Sequence, residues 1–522
     1  IDRKIGNDIW DENHLIYEPD TYNGYDSFMN CIDHIESVED TIFYRICILN
    51  GISISNFNET SIFTTLLPPE NLIATIEENN IRLNWIENCQ IETGFIIERK
   101  CHGGEYQVIE TVGANTTSWL DCNLDPSLIY YYRVKMFSDE LSSEYSNTAI
   151  GNIDHEGYWV PFDYPTIQDA IDALYFSEEI VILPGIYHEN IQINDKYPII
   201  NSFYSLFGEE RFIEQTIIDG EQNGSVFAFV NCDSESPSIS GLTIRNGSGN
   251  YSDVTGGGWY YYSGGGILCE NSNLTINNVI IKEHSAEIGG GIACLQASNC
   301  IITNSIITDN LSNGFLSENG GGIYCNDSQL IIDETEISNN TATSGGGGLL
   351  IMGSVSQITN SLISNNHSNG SAGGIYIRTG SDVTLENVVI TDNLSSVTGG
   401  GIVSSHTSPI MRNIILSGNS SNKGGGIAFF SYQETIFENI LIINNNANYG
   451  GGIYSQSADI NITNVTVFGN NGYYGGGALY CDHYADPIIM NSIFWDNSPQ
   501  EIMIEEESLP GNDGSVTILY SD

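Results

Sequence analysis

Side chains able to do chemistry are sparse in this chain. It holds 15 Lys and Arg against 66 Asp and Glu, with 9 His, for a net charge of -51. Asp482 adjoins His483, and with His406 these are the residues that could act as acid or base; both places read more simply as solvated loops. From residue 221 onward the bases are Arg245, Lys282, Arg378, Arg412 and Lys423, and none stands in a recognisable acid cluster. Serine is abundant, yet no nucleophile-elbow or triad pattern emerges. The acids lack calcium-loop spacing, although so acidic a surface attracts divalent cations, which leaves calcium as the one candidate cofactor. The sequence therefore assigns no catalytic residue and no metal ligand.

The stronger signal is aromatic. Trp259-Tyr260-Tyr261-Tyr262 lies between Gly256-Gly257-Gly258 and Gly264-Gly265-Gly266, which reads as a loop. Tyr449, and Tyr473 with Tyr474, directly precede later glycine triads, which puts them on the same edge. Ring faces on an extended surface suit sugars or partner proteins. The competing reading packs the aromatic loop onto its own scaffold.

What positions these rings is a repeat. Triads stand at Gly264-Gly265-Gly266, Gly289-Gly290-Gly291, Gly320-Gly321-Gly322 and Gly346-Gly347-Gly348, then as the variant Ala372-Gly373-Gly374. They continue at Gly399-Gly400-Gly401, Gly424-Gly425-Gly426, Gly450-Gly451-Gly452 and Gly475-Gly476-Gly477. Gly266 and Gly477 are eight intervals apart, roughly 26 residues each, and such a period marks a solenoid, propeller or array. An isoleucine follows most triads. One asparagine column then runs through Asn278, Asn304, Asn360, Asn387, Asn413, Asn439, Asn464 and Asn491, broken by Glu334. A second runs six residues later through Asn310, Asn340, Asn366, Asn393, Asn419, Asn445, Asn470 and Asn497, with His284 at its first place. Between the columns apolar and polar residues alternate with period two, the signature of a strand. A single repeat cannot bury its own apolar face, so repeats must stack. Stacking them in parallel gives a parallel β-helix, in which both asparagine columns become structural ladders bonded amide to amide in buried turns. About 12 coils are expected from residue 180 onward.

Cys269, Cys294 and Cys325 each stand three places after a triad, in a column that Ile351 and Ile377 continue. They read as buried thiols rather than disulfides or metal ligands. Among Cys89, Cys101 and Cys122 a bridge is open.

The triad-plus-Ile, followed by an apolar residue with asparagine three places on (Ile307 to Asn310, Phe494 to Asn497), resembles the paired motifs of bacterial polymorphic outer-membrane proteins. That resemblance covers roughly 255–500 and implies a surface β-helix used in adhesion. The family's middle alanine is glycine here, and no membrane barrel follows. Tyr164-Pro165-Thr166-Ile167-Gln168-Asp169-Ala170-Ile171, Val181-Ile182-Leu183-Pro184-Gly185-Ile186-Tyr187 and Ile217-Ile218-Asp219-Gly220 resemble the entry of pectin-lyase-like β-helix proteins, pectin methylesterases included. There Thr166 caps a short helix whose apolar face plugs the coil. Residues 67–150 resemble a fibronectin type III domain, with Trp85 as the core tryptophan and Leu124-Asp125-Pro126 with Tyr130 as the tyrosine corner. Tyr44-Arg45-Ile46 repeats Tyr132-Arg133-Val134, which makes 1–66 the tail of a preceding copy whose corner place is Ile42.

The expected architecture is all-β: a partial fibronectin-like module (1–66), a complete one (67–150) and a right-handed parallel β-helix (155–522, entry coils 155–250, repeats 256–500). Together these are expected to form an extended rod, truncated at both ends, with an export signal upstream of Ile1. No apolar run approaches the roughly 20 residues of a membrane span. The charge repels nucleic acid and anionic membranes. The functional expectation is an extracellular or cell-surface bacterial protein for adhesion or spacing, with glycans or cell-surface molecules as partners and self-assembly as a further option. The alternatives are an extracellular carbohydrate-active enzyme, including a two-carboxylate hydrolase of neutral glycans, and a filament subunit.

Overall fold

A computed structural model describes residues 66–521, apart from 78–79, 89–91, 102–103, 126–127, 139–140, 152–156, 255, 315–318, 431–434 and 506–514. Before residue 66 it describes only the backbone of short strands, of which Asp2–Ile5, Ile42–Ile46 and Asn58–Ile62 form an antiparallel sheet. The side-chain matches inferred for the first module, and Cys89, lie outside the described residues. The chain divides into two units, Ile1–Glu156 and Gly157–Asp522.

In the first unit, Glu70–Glu77, Asn80–Ile86 and Ser118–Asp121 form one antiparallel sheet. Gly94–Cys101, Gln107–Gly113, Tyr130–Phe137 and Ala149–Gly151 form another. Alternate residues of both meet in one core of Leu83, Trp85, Phe95, Ile97, Tyr132 and Val134. Trp85 packs on Phe95 with ring centroids 5.5 Å apart. The Tyr130 hydroxyl accepts from the Asp125 backbone N–H at 2.7 Å, tying the chain at that corner. Cys101 and Cys122 are free thiols.

The second unit opens with the helix Ile167–Ala173. Thr166 caps it, its hydroxyl accepting from the Asp169 N–H at 3.0 Å. Ile167, Ala170 and Ile171 enter the core cluster of the coils that follow. The coil beginning at Ile292 shows the repeat. Its strands are Ile292–Leu295, Asn299–Thr303, Ile306–Thr308 and Leu311–Ser312, and each pairs in parallel with its equivalent one coil on. The first strands stack into a 12-stranded sheet. The second and third form a 24-stranded one, because Ile410–Ser417 and Thr435–Ile443 run unbroken through the bend between them. The fourth form a five-stranded sheet. At about 4.8 Å per strand the 12-stranded sheet is about 53 Å long. One continuous core fills the coil, dominated by in-register isoleucines such as Ile276, Ile302, Ile332 and Ile358. Each fully buried isoleucine contributes roughly 1.5–3 kcal/mol.

The two asparagine columns do different work. The first occupies a left-handed bend: Asn304, Asn360, Asn387, Asn413 and Asn464 have φ between +49° and +56°, and Glu334 shares it at +47°. These side chains are exposed, so the expectation of a buried turn fails for this column. Asparagine is there for its tolerance of positive φ, with exposed amide contacts such as Asn413 to Asn387 (3.1 Å) added. The second column is the buried ladder. Each Nδ2 donates to the next asparagine's Oδ1 at 2.8–3.0 Å from Asn310 to Asn497. Each also donates to a carbonyl of the preceding coil, as Asn393 does to Ile363 at 2.9 Å. His284 reproduces this pattern with an imidazole. Its Nδ1 accepts from the Gly247 N–H at 2.9 Å, and its Nε2 faces the Ile244 carbonyl at 3.1 Å. Burial drives its pKa down to about 3.

The middle glycine of each triad is fixed by close approach. A Cβ at Gly347 would run into the Gly373 carbonyl oxygen and lie 2.7 Å from the His367 carbonyl. The register also corrects the ninth triad. Leu479 pairs with Ile453, so Gly476-Gly477-Ala478, rather than Gly475-Gly476-Gly477, matches Gly450-Gly451-Gly452. The cysteine column is interior, with Cys269, Cys294, Cys325, Ile351 and Ile377 in register and buried. Within it Cys294 is bridged to Cys300, which overturns the reading of Cys294 as a thiol; Cys269 and Cys325 remain free.

Candidate functional site

The aromatic segment folds as a hairpin rather than a loop. Asn250–Asp253 pairs antiparallel with Tyr260–Ser263, with Tyr251 opposite Tyr262. Gly256 and Gly258, at φ +65° and +92°, supply the connection. The Asp253 carboxylate fixes it by accepting from the N–H groups of Gly258 (2.7 Å) and Trp259 (3.1 Å). Strand alternation then sorts the rings. Tyr261 turns inward and, with buried Val254, packs against Leu268, Ala293 and Tyr324. Tyr251, Trp259, Tyr260 and Tyr262 expose half or more of their surface. The Tyr251 ring lies 5.5 Å from Tyr260, nearly parallel, and 5.4 Å from Tyr262. The platform is held to the coils by Asn326 Nδ2 donating to the Val254 carbonyl (2.9 Å) and by the Tyr262 N–H donating to Glu287 (2.9 Å). Tyr251 was missed in the sequence because the hairpin partner of the Trp-Tyr-Tyr-Tyr run was not recognised. The turn glycines at 256–258 were the available signal.

Tyr449, Tyr473 and Tyr474 form a second cluster several coils away. Asn446–Tyr449 pairs in parallel with Asn471–Gly475. Tyr449 is half-buried, 5.3 Å from both Tyr474 and Tyr480, while Tyr473 and Tyr474 are exposed and 4.8 Å apart. The bridges Ser263 to Ile288, and Lys423 to Tyr449, place both clusters on the turn that precedes the glycine triads.

Beside the second cluster lies a group of polar side chains that sequence spacing concealed. Asp482 is 4% exposed. Its carboxylate accepts from the Tyr454 hydroxyl and contacts His483 Nδ1. Lys423 Nζ donates to Tyr454 Oη at 2.7 Å and stands 3.8 Å from Asp482. Burial, then the bond to Asp482, raises the Tyr454 hydroxyl's pKa far above its usual range. The Asp482 carboxylate at Nδ1 orients the His483 imidazole. One reading is thereby corrected: Asp482 is buried rather than solvated. Lys423 pairs with this single acid rather than with an acid cluster. Arg245 likewise pairs with Asp219 (2.7 Å), Arg412 with Glu438 (3.3 Å) and Lys282 with Glu283 (3.7 Å). These partners come from different coils or turns, so linear spacing hides most of them. His406 is exposed at its turn, its Nδ1 3.0 Å from Ser405 Oγ.

Among the described residues no three His, Cys, Asp or Glu side chains gather into a metal-binding group. Nor, among them, is any helix long and apolar enough to cross a membrane.

The family described as the right handed beta helix region matches residues 316–421 and 363–518. Together with the stacked coils, this makes the chain a right-handed β-helix repeat protein. No curated protein matches it in sequence. Among solved structures it is similar to a two-domain fibronectin type III segment from chicken tenascin, at 17% identity over 22% of this chain and 66% of that one, with a TM-score of 0.20. It is similar to an Fn3-like protein from Clostridium thermocellum at 23% identity, over 18% of this chain and all of that one (100%), with a TM-score of 0.16. A β-1,2-glucanase from Parabacteroides distasonis matches at 20% identity over 19% of this chain and 16% of that one, with a TM-score of 0.16.

Proposed function

We propose that this β-helix is a carbohydrate-binding protein and that the hairpin platform receives the sugar. The observation that carries this is the four exposed rings Tyr251, Trp259, Tyr260 and Tyr262 on a hairpin anchored from beneath by Tyr261 and Val254. Exposed rings of this size are costly in water unless a partner covers them, and their flat faces match the C–H faces of pyranose rings while the hydroxyls serve the ring edges. In this reading residues 67–150 are a fibronectin type III module acting as a spacer. The resemblance to polymorphic outer-membrane proteins then fits an extracellular, adhesive role. A glycan array, read with and without calcium because the acidic surface attracts divalent cations, tests this. Hits should lose roughly tenfold or more in affinity in the Tyr251→Ala, Trp259→Ala double variant. Unchanged binding in that variant would refute the platform.

A second reading is favoured by the buried Asp482 with His483, Tyr454 and Lys423: an enzyme acting on a glycan beside the Tyr449–Tyr474 cluster, with His483 as its base. Shortened or de-esterified products from array hits, lost in His483→Ala, would establish it; intact hits would leave binding alone.

A further inference from the structure

The acids of this chain are not spread evenly over the coil. Asp333, Glu336, Asp382, Glu386 and Glu438 all lie in strands of the 24-stranded sheet. The fourth strand position and the residue that follows it form a contrasting face. Its first outward column stacks through Leu311, Thr341, His367, Leu394, Ser420 and Asn446. Two residues further along each coil lie Asn313, Thr343, Asn369, Ser396, Asn422 and Asn448. Across these coils neither column holds a carboxylate, a lysine or an arginine, in a protein with 66 Asp and Glu. The amides are aligned along the stack, as Asn448 donates to Asn422 at 2.8 Å and Asn471 to Asn446 at 2.9 Å.

Aromatic groups bracket this uncharged face. At one end Tyr262 of the hairpin is bonded to Glu287, which occupies the second column's preceding place. At the other end the second column finishes in exposed Tyr473, beside Tyr474. From Ser263 to Gly475 the register makes eight coil steps, about 38 Å at the parallel-strand spacing.

We infer that this face binds one extended, uncharged polysaccharide, with the hairpin and the Tyr473–Tyr474 pair as end subsites and the amide and hydroxyl columns lying along the chain between them. The inference rests on the hairpin's sugar-binding role. Amides and hydroxyls exchange hydrogen bonds with sugar hydroxyls without the desolvation cost of burying charge. A polyanion is repelled by the net charge of -51. A protein partner calls for a more apolar or aromatic centre, and on the two columns between the clusters only Leu311 and Leu394 are apolar. Two subsites on one chain act in series, so affinity rises steeply once the ligand is long enough to reach both.

The test is calorimetric titration of the full chain with β-glucan, xylan and mannan, each as polymer and as fragments shorter than about 38 Å, with polygalacturonate as the anionic comparator. A polymer of at least one uncharged type should bind at least tenfold tighter than its own fragments. Tyr473→Ala with Tyr474→Ala should remove that gain while leaving fragment binding at the hairpin, and Asn369→Asp with Ser396→Asp should weaken polymer binding alone. Equal affinity for polymer and fragments, with the hairpin variant still impaired, would overturn the inference and leave the platform standing. Tighter binding of polygalacturonate would overturn it too. A concentration-dependent dimer in light scattering, lost in the Asn369→Asp, Ser396→Asp variant, would assign the face to a second copy and overturn it. Absence of binding by every probe would overturn both the inference and the hairpin reading.

Discussion

Replacing Asn393 by alanine removes four side-chain hydrogen bonds from the interior of the ladder. Its Oδ1 accepts from Asn366 N and Nδ2, both at 3.0 Å, and its Nδ2 donates to the Ile363 carbonyl at 2.9 Å and to Asn419 Oδ1 at 3.0 Å. At about 1 kcal/mol net for each bond the loss is about 4 kcal/mol. The Asn366 N–H and the Ile363 carbonyl are then left without these partners away from water, which adds about 1–3 kcal/mol for each group that cannot relax. The expected cost is therefore about 4 kcal/mol if both groups relax and about 5–7 kcal/mol if one stays unsatisfied, at the upper end for a point substitution. Asn413→Ala makes the matched control in the exposed column. There the φ of +55° is what asparagine serves, so the cost is about 1 kcal/mol, and Asn413→Gly is close to neutral. Because stacked repeats can open in parts, urea midpoints should be read together with hydrogen exchange at the amides of residues 366 and 393. An Asn393→Ala variant no less stable than Asn413→Ala would refute the assignment of the two columns to different work.

Further outcomes follow from the same structure. His284→Asn should restore the ladder's own chemistry, since an asparagine there can meet the Gly247 N–H and the Ile244 carbonyl as the other rungs do. The folded pKa of His284 lies at about 3, below the unfolded value near 6.5. Its contribution is therefore fully present above pH 6.5 and declines as pH falls from there toward 3. The variant should lose that part of the acid sensitivity in thermal melts at pH 7 and pH 4, and an unchanged pH slope would count against it. Gly347→Ala should cost about 3 kcal/mol or more, because the new Cβ meets the backbone of the next coil, whereas Gly113→Ala, with open space around it, should be nearly silent in the same melts. Burial pushes the thiols of Cys269, Cys325 and Cys481 up to about 12, so a thiol-titrating reagent at pH 8 should leave them unmodified while exposed Cys122 reacts. Prompt native reaction at Cys269, mapped by mass spectrometry, would refute their burial.

Much of the coil could be read from the sequence because its constraints repeat at equivalent places. A triad glycine, an interior isoleucine and a ladder asparagine each answer the same packing problem once per coil, and the answers align. What failed were features that need the third dimension. Exposed and buried asparagines look alike in a column, and only the presence of Glu334 in the first hinted that its place faces water. The slip at Gly475 arose because four small residues precede Leu479, so composition alone does not fix the frame. Asp482 joins Tyr454 and Lys423 across coils, 28 and 59 residues away, which linear spacing cannot show. For the hairpin, the tyrosines were visible and their alternation was not, because Tyr251 lies on the far side of a glycine turn.

The buried ladder also has a polarity. From Asn310 to Asn470 each side chain takes up its bonds at Oδ1 from the coil before and directs one Nδ2–H to the Oδ1 of the coil after, so the amide dipoles add instead of cancelling, much as peptide dipoles add along an α-helix. The positive end of this row is Asn497, whose amide and N–H meet the carboxylate of Glu501, at 2.6 and 3.2 Å. An anion thus terminates the row at its positive pole. A coil inserted in register with its own asparagine would lengthen the array and preserve its sense, whereas one lacking the amide would divide it into two shorter dipoles, only one of them neutralised by Glu501.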